Sequence, residues 1–202
     1  MDGYLIVNLA DMVNEIGEDA CRRRLSDFSC AMNKDVELYL KRSAIVFAQQ
    51  GIASTHLIYT SYKGEPVIAG YFTISIKFMR VYINKIGKTL GKRVKKFAME
   101  VIDGKAVVPA LLIGQLGKNY TNNYDKLISG DILLKLAENK AREAQHIAGG
   151  RFIYLECEDH QRLIQFYSDN GFVNFGEREL EADEKDLFTS KKLVQMMKYL
   201  KQ

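Results

Sequence analysis

Residues 156–172 read ECEDHQRLIQFYSDNGF, and this stretch decides the fold. Apolar residues around its start predict a strand that ends in acids, and a short helix with the pair Phe166-Tyr167 follows. The helix is expected to stop at Asn170-Gly171, because glycine readily takes the left-handed backbone that ends many helices. The predicted order is therefore strand, helix and strand, at residues 152–157, 160–170 and 172–179.

The segment before this stretch supplies a second strand and its connection. Residues 107–116 form a continuous apolar run, which predicts a strand buried on both faces. A polar loop at 118–127 leads into a helix at 130–148, which Gly149-Gly150 ends. Strand, helix and strand in this order predict a parallel pair with a right-handed crossover.

The first half of the chain predicts helices followed by an antiparallel hairpin. Asn33 is expected to cap a helix at 34–50, because its side-chain oxygen can accept a hydrogen bond from the first helical turn. The turn Lys63-Gly64-Glu65-Pro66 joins the two hairpin strands. The other predicted elements here are an edge strand at 4–9, a helix at 11–25, and hairpin strands at 56–62 and 67–78.

Charge is distributed unevenly along the chain. Residues 77–96 hold eight basic residues and no acid, although the formal net charge of the whole chain is only +4. Apolar residues spaced by three and four within this segment predict a basic amphipathic helix at 83–97. Residues 177–186 hold six acids, and residues 192–200 are predicted as a strand, although their spacing also fits a helix.

The bulk composition limits the class of protein. With 202 residues, of which 47% are hydrophobic, the chain can bury the core of one α/β domain. No apolar run reaches the roughly 18 residues of a membrane helix, and no secretory signal pattern is seen, so no membrane partner is expected. Three scattered cysteines favour reduced thiols in the cytoplasm, without a disulfide framework or a metal site. Three histidines leave little material for a hydrolase triad.

The string F-Y-x-x-x-G-F after an acidic strand end resembles a helix of the GNAT superfamily of N-acetyltransferases. The predicted order of elements is also similar to that family from about Cys30 to Tyr199, and the similarity is strongest at residues 111–175. The resemblance implies an α/β fold with a GNAT-like mixed, centrally splayed β-sheet flanked by helices on both faces. It implies a single acyltransferase domain over 1–202, with a basic helical insertion at about 79–104.

The resemblance also implies that acetyl-CoA is the co-substrate. Leu116, Gly117 and Lys118 match the strand end that pairs with the pantetheine arm, where a backbone N–H near Leu116 would polarise the acetyl carbonyl. The alternative for these residues is an ordinary buried strand with a glycine where it leaves the sheet. His160 matches an asparagine of the family that contacts the cofactor arm, and Phe166 lies on the same helix. His160 equally fits a place in the first helical turn.

The family's pyrophosphate loop, Gln/Arg-x-x-Gly-x-Gly/Ala, is altered in this chain. Ile128 replaces the middle glycine, and only Gly130 matches the pattern. Phosphate binding can survive this change, because free N–H groups at a helix start bind phosphate whatever the side chains. The residues expected at the phosphates are Lys126, Leu127, Ile128, Ser129, Gly130 and Asp131.

By the same resemblance, Tyr167 is the general acid that protonates the departing thiolate. Glu156, Glu158 or Asp159, at the strand end, are candidates to position or deprotonate the amine. This acidic cluster favours a cationic acceptor, which the sequence leaves open as a small molecule, a protein or an aminoacyl-tRNA. The resemblance also leaves open whether the protein forms a homodimer.

Two alternatives stay open at this point. The altered phosphate loop also fits a non-catalytic module that senses CoA or binds RNA or protein, because a fold does not certify an activity. The basic segment at 77–96 fits a solvated helix face, a surface that attracts the phosphorylated cofactor, or an RNA-binding surface. Lysines without interleaved aromatic residues are weak support for the last of these.

Overall fold

The computed structural model describes residues 3–181 and 192–201, and this part of the chain forms a mixed α/β fold with an eight-stranded sheet. The strands are β1 (Leu5–Asn8), β2 (Ser54–Tyr62), β3 (Glu65–Tyr82), β4 (Glu100–Ile102), β5 (Lys105–Lys118), β6 (Phe152–Glu158), β7 (Val173–Glu179) and β8 (Lys192–Tyr199). The helices are α1 (Leu9–Ile16), α2 (Glu18–Ser26), α3 (Lys34–Leu38), α4 (Ala44–Gln49), α5 (Lys88–Phe97), α6 (Gly130–Ala148) and α7 (Gln161–Asp169). The strand order is β1-β2-β3-β5-β6-β8-β7, with β4 paired to β5.

The chain divides into two compact units. Unit 1 comprises Met1–Ser75 and Ile113–Asn139, and unit 2 comprises Ile76–Leu112 and Lys140–Gln202. Strands β3 and β5 each contribute one part to each unit. That residues 1–202 act as a single acyltransferase domain stays a prediction. Among the described residues, none of the helices has both the length and the apolar character needed to span a membrane.

Unit 1 contains the predicted antiparallel hairpin and the N-terminal helices. Strand β2 pairs antiparallel with β3, which confirms the predicted hairpin, and β1 is an edge strand, as predicted, that pairs antiparallel with β2. One predicted helix at 11–25 is instead two helices, because Gly17 adopts a φ of 83° and ends α1. The core of this unit brings together α1, α2, α3 and the hairpin through buried residues that include Leu9, Leu25, Val36, Leu57 and Tyr71.

The helix predicted at 34–50 begins where expected but is not continuous. The Asn33 side chain accepts a hydrogen bond from the Val36 N–H at 3.3 Å, which confirms the predicted cap. A π-helical turn at Tyr39–Ser43 then separates α3 from α4. Such a turn inserts an extra residue into the helical hydrogen-bond pattern, and the apolar periodicity does not reveal it.

Unit 2 contains the predicted parallel pair. Leu111 pairs with Ile153 and Leu112 with Tyr154 in parallel register, and β8 pairs antiparallel with both β6 and β7. The strand prediction for 192–200 is therefore confirmed over the helical alternative. Strand β4 was not predicted, because three exposed residues give no periodic signal. Of the acidic segment at 177–186, only residues 177–181 lie within the described residues.

The basic helix of unit 2 is shorter than predicted. Helix α5 begins at Lys88 rather than at residue 83, because Ile86 is extended and Gly87 occupies the N-cap position. Residues Ile83–Lys85 form a separate 3-10 turn. The apolar side of α5 packs as predicted, with Val94 buried in a cluster that includes Met79 and Val81.

Glu37 ties the start of α3 to the segment before it. Its carboxylate accepts hydrogen bonds from the Cys30 N–H at 3.0 Å, from Lys34 Nζ at 2.9 Å and from Lys41 Nζ at 3.1 Å. The Lys34 bond, followed by the Cys30 N–H bond, lowers the pKa of Glu37 to about 2. The folded state therefore binds fewer protons here than the unfolded chain between about pH 2 and 4.5.

We expect Glu37→Gln to lower the free energy of unfolding above about pH 4.5, and the loss to shrink as the pH falls towards about 2. The depressed pKa stabilises the fold only while the unfolded carboxyl would be ionised. Urea denaturation of both proteins between pH 2 and 7 measures this difference. Glu18→Gln, which breaks an exposed pair with Arg22, is the control and should change stability much less. A Glu37→Gln effect that does not vary with pH would contradict the assignment.

Candidate functional site

Two residues of the F-Y-x-x-x-G-F string, Gly171 and Phe172, form the C-terminal end of α7. Gly171 has a φ of 82°, and its N–H donates to the Ser168 carbonyl at 2.9 Å. The Phe172 N–H donates to the Tyr167 carbonyl at 3.0 Å, and the two rings contact each other edge-on at 5.9 Å. This pair of bonds with its apolar contact is the Schellman helix ending. Gly171 and Phe172 are therefore accounted for structurally, and the predicted catalytic role of the motif depends on Tyr167 alone.

Tyr167 is buried within unit 2. Its side chain is 9% exposed and also contacts Phe166 edge-on, with 5.0 Å between the ring centres. Burial, with a smaller contribution from Cys157, raises the pKa of the Tyr167 phenol well above its usual range. The phenol therefore stays protonated near neutral pH and carries a proton, while the same burial makes it a weaker acid than a free phenol.

Glu156 has both carboxylate oxygens engaged. Oε2 accepts from Arg178 Nε at 2.6 Å, and Oε1 accepts from Gln195 Nε2 at 2.8 Å. These bonds link β6 to β7 and β8, which favours a structural role for Glu156 over that of a base. Sequence reasoning missed the pairing because Arg178 lies 22 residues away. Glu158 is half-buried, and Asp159 is exposed directly after the strand.

His160 and Cys157 flank these acids. His160 occupies the N-cap of α7, where Nδ1 accepts from the Arg162 N–H at 3.3 Å. The structure thus places it in the first turn, the alternative that the sequence left open. Cys157 is buried, and its burial, followed by the charges of Asp159 and Glu158, raises its thiol pKa to about 11. Cys157 is therefore a core thiol and poorly suited to act as a nucleophile.

The end of β5 in unit 1 is tightly packed. A Cβ at Gly117 would lie 2.3 Å from Val36 Cγ1, so the absence of a side chain is required by helix α3 itself. Gln115, two residues earlier on the same strand face, donates from Nε2 to Asp35 of α3 at 2.7 Å. Because side chains alternate along a strand, Leu116 and Lys118 point to the opposite face. Lys118 Nζ donates there to the Asp125 carbonyl at 3.0 Å.

The start of α6 is held by capping and by burial. Ser129 Oγ accepts from the Ile132 N–H at 3.1 Å, as expected of an N-terminal cap. Ile128, which replaces the glycine of the resembled family's loop, is 2% exposed and anchors the loop in the core. The preceding carbonyl, that of Leu127, accepts from the Tyr4 hydroxyl at 2.8 Å.

This helix start fits a diphosphate in most respects. A 19-residue helix presents N–H groups and a positive dipole end at Gly130, and both Ser129 and Lys126 are exposed beside it. Asp131 in the first turn is also exposed and would repel a close phosphate. Leu127 and Ile128 can contribute through their backbone only, since their side chains are wholly or partly covered.

Sequence reasoning missed Asn119, which directly follows β5. Its buried side chain accepts from the N–H groups of Ser29 and Thr121, both at 3.1 Å, and donates to the Ile68 carbonyl at 2.9 Å. These bonds fix the loop after β5 against the segment before α3. A half-open cavity of about 890 Å³ lies beside this loop, with Phe28, Tyr59 and Asn119 among its lining residues. No local sequence pattern marks such a residue, because two of its three partners, Ser29 and Ile68, lie 90 and 51 residues away.

Solved structures resemble the whole fold, although no protein-family model and no curated protein matches the sequence. AtaT complexed with acetyl-methionyl-tRNAfMet matches with a TM-score of 0.61 and 14% identity, covering 95% of this chain and 93% of that one. A tyrosine-to-phenylalanine mutant of KacT matches with a TM-score of 0.62 and 15% identity, covering 96% and 95%. AtaTR bound with AcCoA matches with a TM-score of 0.56 and 14% identity, covering 98% and 94%.

AtaT and KacT are GNAT-fold acetyltransferases. The chain described here therefore has the GNAT fold, and the predicted mixed α/β class is confirmed. At this level of identity the likeness concerns the fold, so the roles of the individual site residues stay predictions.

We expect Gly117→Ala to destabilise the protein by about 1–3 kcal/mol, because its Cβ must displace Val36 in a packed core. The midpoint of urea unfolding measures the loss. The double variant Gly117→Ala/Val36→Ala is the control, and it should regain stability relative to Gly117→Ala because the clashing methyl is gone. If Gly117→Ala unfolds at the wild-type midpoint, the close approach is not a constraint on the fold.

Proposed function

We propose that the protein is an acyl-CoA-dependent N-acetyltransferase that transfers an acetyl group to an amine. The observation that carries this proposal is the GNAT fold over about 95% of the chain, with a buried tyrosine at the motif position. One similar structure, AtaTR, is bound with AcCoA, which supports the choice of co-substrate.

In unit 1, the end of β5 and the start of α6 hold the co-substrate. Acetyl-CoA supplies the acyl group as a thioester. The backbone at Leu116, Gly117 and Lys118 binds the pantetheine arm, and the Leu116 N–H donates to the thioester carbonyl. The N–H groups at Ser129 and Gly130 bind the pyrophosphate, and Lys126 adds a positive charge. This assignment uses backbone groups chiefly, so it tolerates Ile128 in the place of a glycine.

In unit 2, Tyr167 and the acids after β6 carry the proton transfers. The amine nitrogen forms a bond to the thioester carbon, and the C–S bond breaks. Tyr167 donates its proton to the departing thiolate, a role that suits a phenol kept protonated by burial. Glu158 or Asp159 takes the proton that the amine loses, directly or through water. Glu156 is less suited to this role, because its oxygens already accept from Arg178 and Gln195.

The acceptor is an amine of a small molecule, a protein or an aminoacyl-tRNA. AtaT, one of the similar structures, is complexed with acetyl-methionyl-tRNAfMet, which supports aminoacyl-tRNA as the first class to assay. The charged residues lining the cavity beside Asn119 include Glu15, Asp27, Glu65 and Arg24. Three carboxylates against one guanidinium favour a cationic ligand there, as an amine acceptor would be before it loses its proton.

A second candidate function is binding of CoA without turnover. The observation that favours it is the pair of changes at the phosphate loop, a buried Ile128 and the acidic Asp131. Calorimetry with acetyl-CoA, combined with mass spectrometry of an amine panel that includes aminoacyl-tRNA, separates the two functions. Binding without transfer to any amine favours the non-catalytic module.

We expect Tyr167→Phe to lower turnover by about 10²-fold or more while acetyl-CoA affinity changes little. The variant removes only the hydroxyl, and the edge-on contacts with Phe166 and Phe172 persist. Steady-state kinetics and calorimetry measure the two quantities separately.

Tyr154→Phe is the matched control for this experiment. It also deletes a phenol hydroxyl from a mostly buried ring in unit 2, but from strand β6 rather than from α7. Its turnover should stay near that of the wild type. Equal effects of the two variants, or no effect of Tyr167→Phe, would remove Tyr167 from the mechanism.

We expect Gly130→Glu to abolish acetyl-CoA binding, because it places bulk and negative charge at the start of α6. Circular dichroism should show an unchanged fold, and calorimetry should show no binding. Lys135→Glu is the control, because it also introduces a glutamate into α6, at an exposed position farther along the helix. This variant should retain affinity for acetyl-CoA. Retained affinity in Gly130→Glu would place the co-substrate elsewhere.

A further inference from the structure

The last part of β3, in unit 2, leaves one strand face open. Ile76, Phe78, Arg80 and Tyr82 alternate along this face, and we refer to them as the outer strip. Ile76 is 64% exposed, Phe78 59% and Tyr82 45%, and Arg80 is also exposed. Three large apolar or aromatic side chains in a row on an open strand face are uncommon on a soluble surface and indicate an interaction site.

The opposite face of the same strand segment is covered by α5. Met79 and Val81 are buried there in a cluster that includes Val94 of α5. Neighbouring residues of a strand point to opposite faces, so the outer strip points away from α5. The exposure of the strip is therefore a property of one face, and the lysines of α5 belong mainly to the other side of the sheet.

Cations lie at the Tyr82 end of the outer strip. Lys85 Nζ and Lys105 Nζ lie 5.1 Å and 5.2 Å from the centre of the Tyr82 ring. Arg80 lies between Phe78 and Tyr82 on the strip itself, and the segment 77–96 contains no acid. The nearby acids are Glu100 of β4, Asp103 in the turn that follows it, and Glu177 and Glu179 of β7, which line a groove together with Lys85, Arg178 and Lys192. Aromatic rings and cations therefore share one surface.

We propose that the outer strip, with Lys85 and Lys105, binds a single-stranded nucleic acid. Phe78 offers an open ring on which a base can stack, and a base stacks on Tyr82 by displacing a lysine that lies over its ring. The two rings lie about 13 Å apart along the strand, so each serves a different base. Arg80, Lys85 and Lys105 neutralise phosphates beside them. The predicted basic helix at 83–97 has no aromatic residues between its lysines, whereas Phe78 and Tyr82 lie on the strand before it, on either side of Arg80.

The positive charge of the outer strip favours a nucleic acid over a second copy of the chain as its ligand. Two outer strips facing each other would bring like charges together at Arg80, Lys85 and Lys105, which opposes self-association through this face. An anionic lipid surface matches the charge as well. A lipid surface does not need two rings with an arginine between them, so nucleic acid is the ligand that uses both the rings and the cations of the strip.

Fluorescence anisotropy with a labelled oligouridylate of about 16 nucleotides tests the proposal, in the absence of acetyl-CoA. We expect Phe78→Ala and Tyr82→Ala each to weaken binding about tenfold or more, because each removes a stacking ring. Lys85→Gln/Lys105→Gln should flatten the dependence of log affinity on log salt by about 0.7 for each phosphate that is no longer neutralised. The assay needs no acyl transfer, so its outcome is independent of the proposed enzymatic function.

Three controls keep the result specific to the outer strip. Ile147→Ala removes an exposed apolar side chain of α6, and Lys135→Gln removes an exposed charge there, so both should bind like the wild type. Lys88→Glu/Lys92→Glu/Lys95→Glu alters α5 on the other side of the sheet and should weaken binding less than Phe78→Ala/Tyr82→Ala does. Circular dichroism checks that each variant is folded. Because the strip residues are exposed, their substitution should not disturb the core.

Three results would overturn the proposal. The first is a wild-type protein that shows no salt-sensitive binding to oligouridylate or to the corresponding oligodeoxynucleotide. The second is binding that α5 reversal removes while Phe78→Ala/Tyr82→Ala leaves it intact. The third is binding of the outer strip to vesicles of phosphatidylserine and phosphatidylcholine without binding to nucleic acid, which would make the face a lipid-binding surface.

Discussion

The close approach of β5 to α3 and to β3 is the constraint on which unit 1 depends. A Cβ at Gly117 would meet Val36, and a Cβ at Gly70 would lie 2.8 Å from the Gly117 carbonyl oxygen. Because Gly70 and Gly117 have no side chains, the backbones of α3, β3 and β5 can pack closely against one another. With α3 seated there, the Tyr71 hydroxyl reaches the Val36 carbonyl at 2.5 Å and Gln115 reaches Asp35. The strand end to which we assign the pantetheine arm is thus positioned by packing that needs no bound ligand.

At α7, too, packing alone explains most of the residues of the motif. The glycine and the second phenylalanine of the F-Y-x-x-x-G-F string close the helix, and they would be favoured at this helix end in a protein of any function. Their effect is to fold Phe172 back on the ring of Tyr167, which helps to bury the phenol and keeps it protonated. The motif is therefore informative about function only through its tyrosine.

Sequence periodicity predicted most strands and helices, because each depends on neighbours a few residues away. The caps at Asn33 and Gly171 were predictable for the same reason. The break at Gly17 and the π-helical turn at Tyr39–Ser43 were not, since tertiary packing selects them. Side-chain partners were least predictable: Glu156 meets Arg178, and Asn119 holds segments about 50 and 90 residues away. Such pairings require the fold, and for this reason the sequence did not show that Glu156, one of three acids considered as a base, is hydrogen-bonded through both oxygens.

Ile128 departs from the loop pattern of the resembled family, and its burial holds the loop before α6 in place. A glycine at this position provides close approach, whereas an isoleucine at a φ of −141° provides anchorage in the core. The loop before α6 is then held at Ile128, at the Leu127 carbonyl and at Asp125, which accepts from Lys118. A loop fixed at three points loses less entropy when it binds a phosphate than a glycine-rich loop that must first be ordered. In the phosphate site that we propose, Ile128 therefore contributes preorganisation of the loop in place of close contact, and the N–H groups at the helix start supply most of the affinity.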